Sequence, residues 1–169
     1  GTLRIARPRT MRIQFQGRPR AGVTAKDLSL AVLSRFGSVG GNGYVVEYAG
    51  EAIRALEIEA RLTLCNMATE FSAVSGLIAA DDKTFDYLSG RRFAPKGAEW
   101  DAALADWRSL RSDDEARFDS DLSVDIADLG PMITWGTSPQ HAIPVSAHVP
   151  ALEHSGTTRE SYVRALAYM

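Results

Sequence analysis

The run Arg61–Glu70, RLTLCNMATE, restricts the fold more than any other stretch of the chain. Leu62, Leu64, Cys65, Met67 and Ala68 are apolar or small, and Phe71 and Val74 continue the pattern. A helix that is apolar nearly all round belongs in an interior. The spacing therefore predicts a buried helix from about Glu57 to Ser75, stopped by Gly76 at its C′ position. Asn66 and Glu70 interrupt it four residues apart, which puts them on one helix face. A carboxylate in such a helix is costly unless it is paired or stands at a cleft wall. A structural carboxylate and a catalytic one both satisfy that condition.

The rest of the chain alternates strand-like and helical patterns. Met11–Gln16 (MRIQFQ) alternates apolar and polar residues as a half-buried strand does. Further strand-like runs fall near residues 44–48, 76–79 and 119–127. Between them, Val23–Phe36 reads as an amphipathic helix capped by Thr24, with Asp27 completing a capping box and Gly37 closing the end. Gly50–Leu56 is a short helix, and Asp81 opens another that ends near Gly90. Trp100, Ala103, Leu104, Trp107 and Leu110 recur at helical spacing, while the charged segment Arg111–Arg117 reads as a solvated loop. Leu129–Val145 is loop with short strand, and a last helix covers Thr157–Met169. Such alternation predicts an α/β class: a small, mostly parallel sheet with helices on both faces, in three αβα layers.

Several functions are disfavoured by simple counts and orders. Nineteen basic against 21 acidic residues leave a net charge of −2, which gives no electrostatic case for nucleic acid or an anionic membrane. No apolar run approaches the ~18 residues of a membrane span. Six arginines and no acid occupy the first 20 residues, but the strand pattern there argues against a targeting peptide or a nucleic-acid arm. Gly37, Gly40, Gly41 and Gly43 follow a helix and open a strand, the reverse of a phosphate-binding loop. Their expected use is a tight crossover lying close to a neighbouring segment. His141, His148 and His154 have neither a carboxylate at metal-ligand spacing nor a cysteine partner, so no metal site is expected. The single cysteine, Cys65, rules out an internal disulfide and is expected to be a buried, reduced thiol.

RLTLCNMATE resembles the corresponding helix of the aconitase superfamily, most closely in the large subunits of 3-isopropylmalate dehydratase (isopropylmalate isomerase). The likeness continues upstream through GNGYVVEYAGEAIRALEIEAR (Gly41–Arg61). Downstream it runs through TFDYLSGRRFAPKGAEWD (Thr84–Asp101), ITWGTSPQ (Ile133–Gln140) and RALAYM (Arg164–Met169). It implies that residues 1–169 are one α/β domain, an internal segment of a larger subunit. It also implies a cytoplasmic hydro-lyase of leucine biosynthesis that dehydrates and rehydrates a small dicarboxylic hydroxy acid.

By the same resemblance, Glu70 matches a catalytic glutamate that pairs with an active-site histidine and touches the substrate hydroxyl or water. Asn66 matches an asparagine reaching toward the cluster environment. The family's 4Fe-4S cluster stands on three cysteines, and this segment, with one, is expected to bind no cofactor or metal and to be inactive alone. The implied partners are the remaining domains of the large subunit and the small subunit. Trp135, Thr137 and Ser138 match the family in a loop expected to be a turn under a packed indole, with a substrate-facing role as the alternative. A homoaconitase or related hydro-lyase segment is the neighbouring alternative, and a non-catalytic scaffold module is the alternative of another class.

Overall fold

The computed structural model describes residues 2, 4–150 and 157–169, with residues 157 and 158 as backbone only; His154 lies outside this range. The elements in order are β1 (Arg9–Gln16), α1 (Ala25–Phe36), β2 (Tyr44–Ala49), α2 (Glu51–Ala55), α3 (Ile58–Met67) and β3 (Ser75–Leu77). There follow α4 (Asp82–Leu88), α5 (Ala98–Ser109), β4 (Ser120–Asp125), β5 (Met132–Thr134), β6 (Ala142–Pro144) and α6 (Thr157–Tyr168). Strands β3, β2, β1 and β4 lie side by side in that order as an all-parallel sheet, and β5 and β6 form an antiparallel hairpin. Parallel neighbours require crossovers. Here α1, then α2 with α3, supply the first two, and α4 with α5 carry the chain from one sheet edge to the other. The fold is α/β, a four-strand parallel sheet flanked by helices, consistent with the expected three layers. No helix among the described residues is long and apolar enough to cross a membrane.

The two faces of the sheet differ in kind. Met11, Ile13 and Phe15 of β1, Val46 and Tyr48 of β2 and Val124 of β4 are buried in one cluster with Leu28, Leu30, Val32 and Leu33 of α1 and Leu64 of α3. The intervening residues form a polar face. Arg12 stands in register between Glu47 on β2 and Asp121 on β4. Its guanidinium pairs with Asp121 and lies 4.7 Å over the Phe118 ring, and the Ser112 hydroxyl donates to Glu47 at 2.6 Å. Arg12 is therefore not simply solvated, and residues 111–118 are not a free loop: they lie across this face.

The capping box of α1 is present. Asp27 Oδ2 accepts from the Thr24 N–H at 2.6 Å and from the Thr24 hydroxyl at 2.7 Å, while Oδ1 accepts from the Met132 N–H at 2.7 Å. One buried carboxylate thus caps a helix and fastens the β5–β6 hairpin to it. Expected elements that moved did so for packing reasons. Helix α3 ends at Met67 rather than near Ser75, and Leu62 on it is 58% exposed. Gly76 is not a helix stop. It lies in β3, where a Cβ would come 2.7 Å from the Ala68 side chain, so its role is close approach of strand to helix. Helix α5 has no fully buried residue; its tryptophans pack on each other and on Phe85 at the periphery.

Burial raises the Asp27 carboxyl, but the hydrogen bonds from the Thr24 hydroxyl, Met132 N–H and Thr24 N–H outweigh it and hold the pKa below the ordinary carboxylate value. A depressed folded-state pKa gives stability that is present above the unfolded value and lost as pH falls through the folded one. Asp27→Asn presents a donor where acceptors are needed, and should cost about 1–3 kcal/mol at neutral pH. Urea melts across pH should show that gap closing below pH ~4. A gap that is flat across pH would show that the charge is not what matters.

Candidate functional site

Asn66 is in the last turn of α3, and Glu70 is three residues beyond the helix end. The chain continues from α3 in tight turns, with N–H groups of Thr69, Glu70, Phe71 and Ser72 each donating to the carbonyl three residues back. Both Asn66 and Glu70 are exposed. The expectation of a mid-helix carboxylate is therefore corrected: Glu70 rides on a surface turn, where water solvates it at no burial cost. Among the described residues its side chain has no hydrogen-bond or ion-pair partner, and none joins it to Asn66.

What is fixed is the turn itself. Phe71 is buried against Gly40 and Gly41, and a Cβ on Gly41 would lie 2.6 Å from the Phe71 ring. The Gly41 N–H donates to the Phe71 carbonyl at 2.9 Å, and Asn42 bridges Ala73. This is the close backbone approach expected of the glycine-rich crossover. At its other end α3 is held by Arg61, which is 4% exposed. Its guanidinium forks onto both Asp81 oxygens at 2.7 Å and also donates to the carbonyls of Leu56 and Arg54. Burial raises the Asp81 carboxyl, but the hydrogen bonds from Arg61 and Thr84 and the charge of Arg61 together outweigh it and hold the pKa down. A buried arginine is tolerated when its donors are met in this way.

The WGTSPQ loop joins the two strands of the hairpin. Trp135 is buried, stacked on His141 at 4.7 Å and met edge-on by Tyr162 of α6 at 4.9 Å. The packed indole expected here is present. Burial lowers the His141 pKa, and its Nδ1 is buried without a hydrogen-bond partner among the described residues. Gln140, on the far side of the loop, accepts from the Ser38 N–H at 3.0 Å.

Strands β1 and β2 end on a groove of about 670 Å³ that runs onto the polar sheet face, lined among others by Gln14, Gln16, Glu47, Arg54, Asp81 and Ser112. Neither Asn66 nor Glu70 lines it. Because α3 runs back from the carboxyl ends of the strands to their amino ends, the CNMATE turn is at the opposite edge of the sheet. Ligands of open α/β sheets favour the carboxyl edge, so general fold rules and the residue match point to different ends. The groove is lined about equally by polar and apolar surface and carries charges of both signs, most of them already paired. Nothing in its chemistry selects a ligand. The Arg61–Asp81 fork and the Gln140–Ser38 bond escaped sequence reasoning, since their partners are 20 and 102 residues apart. An arginine set in an otherwise apolar run was the available signal for the first.

A family model described as the aconitase family (aconitate hydratase) matches residues 1–169, the full length given. The chain belongs to the aconitase family. A hydro-lyase type of chemistry goes with that membership, and members typically carry a 4Fe-4S cluster. The side chains here do not fit one. Cys65 is the chain's single thiol, half-buried on α3, with burial pushing its pKa up, whereas a cluster ligand must be a thiolate. Among the described residues no group of three or more His, Cys, Asp or Glu is placed to hold a metal ion. Reconstituting this aconitase-family chain with iron and sulfide should give no stoichiometric cluster, as read by visible absorption and iron analysis. A cluster bound one per chain would overturn that assignment.

Proposed function

We propose that this chain is one α/β domain of the large subunit of an isopropylmalate isomerase, acting with the other domains of that subunit and with a small subunit in the cytoplasm. The reaction is dehydration of 2-isopropylmalate and rehydration to 3-isopropylmalate in leucine biosynthesis. Support comes from the family match over residues 1–169 together with the dehydratase-like stretches CNMATE, TFDYLSGRRFAPKGAEWD and ITWGTSPQ.

The observation that carries the site is Glu70 itself: an exposed carboxylate without a partner among the described residues, on a turn whose backbone is held from two sides. Fixed position and free valence are what an acid–base group needs before its partner arrives. In this reading the partner is a histidine of another domain, and Glu70 holds it in its working protonation state next to the departing hydroxyl. Asn66, exposed one turn earlier, supplies an amide as hydrogen-bond donor or acceptor on the same approach. Among the described residues this chain offers the cluster no ligands, so the chain's part in the reaction lies with Glu70 and Asn66.

Glu70→Gln keeps the shape of the side chain and removes its charge. In the full-length subunit with its small partner, turnover of 2-isopropylmalate should fall about 10²–10⁴-fold. The melting temperature should stay within a degree or two, because Glu70 is exposed and packs on nothing. Near-normal turnover would remove Glu70 from the mechanism. Preferential turnover of a longer or unbranched tricarboxylic substrate would favour the homoaconitase alternative instead.

A further inference from the structure

Ser38, in the glycine-rich loop between α1 and β2, is bonded on both sides of its backbone. Its N–H donates to Gln140 Oε1 at 3.0 Å, and its carbonyl accepts from the Ser72 hydroxyl at 2.8 Å. Gln140 belongs to the WGTSPQ loop, and Ser72 stands two residues after Glu70 in the same turn. A line of two hydrogen bonds therefore connects the hairpin loop, through one residue of the crossover, to the turn that carries Glu70.

Ser72 is the only described non-glycine residue with a positive φ, +61°. Such a conformation persists when its surroundings over-determine it, and it recurs at sites where position matters. Ser72 is exposed and Ser38 half-buried, so the Ser72 hydroxyl is not needed to satisfy a deeply buried group. Water would serve either bond, which makes their net contribution to stability small. Their effect is geometric: they hold the turn against the crossover from the side facing solvent, where Phe71 holds it from the core.

We infer that Gln140 and Ser72 are positioning residues for Glu70, so that the WGTSPQ loop acts on the chemistry through Ser38 rather than by touching substrate. This rests on the proposed role of Glu70. An acid–base group displaced by about an ångström loses up to ~10²-fold in rate. Gln140→Leu removes the acceptor at nearly constant volume, Gln140→Glu keeps it, and Ser72→Ala removes the donor.

The test is steady-state kinetics of these variants in the full-length subunit with its small partner, each alone and in a Glu70→Gln background. Gln140→Leu and Ser72→Ala should lower kcat about tenfold or more with KM unchanged, and Gln140→Glu should retain near-normal kcat. In the Glu70→Gln background the same changes should cost nothing further, because the group they position no longer works. A loss of equal factor in both backgrounds, a loss confined to KM, or no loss at all would overturn the inference. If Gln140→Leu does not fold, Ser72→Ala, which alters one exposed hydroxyl, decides alone. Failure of the underlying reading is seen separately, as undiminished turnover of Glu70→Gln by itself.

Discussion

Strand β1 pairs with β2 on one side and β4 on the other, and its strict alternation divides the molecule into an apolar and a polar half. Met11, Ile13 and Phe15 point to the helices, and Ile13 and Phe15 are wholly buried. Arg12 and Gln14 point the other way and bond to Asp121 of β4. A shift of one residue in register would send an arginine into the core and a phenylalanine into the polar network. Each neighbour therefore reads its register twice, once from hydrophobic packing and once from charge. Arg12 is held by Asp121 and by Glu47 in turn, which raises its pKa above the ordinary value and lowers that of Asp121.

That frame explains which features could be read from sequence. The capping box of Thr24 and Asp27, the alternation of β1 and the glycine crossover all depend on partners a few residues away or on a repeating pattern, whereas the pairing of residues 132–134 with 142–144 reads in the sequence only as loop with short strand. The end of α3 was not legible in that way. Residues 68–74 keep helical spacing of apolar side chains, yet Phe71 turns inward against Gly40 and Gly41, whose lack of a side chain makes the place for it. A contact made across 30 residues thus overrides a local periodicity. Similarly, Asp81 is readable as the start of a helix, but nothing near it announces that it will also be the mate of Arg61.

The candidate site has the same division. Glu70 and Asn66 were marked by a motif, and their exposure follows from where the helix stops. The residues that fix the site, Phe71, Ser72, Ser38 and Gln140, come from three separate elements and meet only in the fold. Rigidity at the amino edge of the sheet comes from the Phe71 ring seated on Gly40 and Gly41 and from hydrogen bonds to backbone groups of the crossover. This leaves the surface around Glu70 open, while the indole of Trp135 and the ring of His141 keep the hairpin anchored behind it.

The pairing of β1 with β4 also sets a clock. Thr10 and Asp119, joined by hydrogen bonds, are 109 residues apart in the chain, whereas the β1–β2 pair closes across a single helix. Loop closure over the longer span costs more entropy and is slow to be repaid. During synthesis β1, α1 and β2 can associate early, leaving one edge of β1 unpaired until residues 120–125 have emerged. An open strand edge is a template for unwanted partners. On that edge Arg12 projects from the polar face with Gln14 beside it, so the waiting strand is charged on the side that α1 does not cover. The ion pair that fixes register in the finished sheet is, before completion, half of a solubilising device.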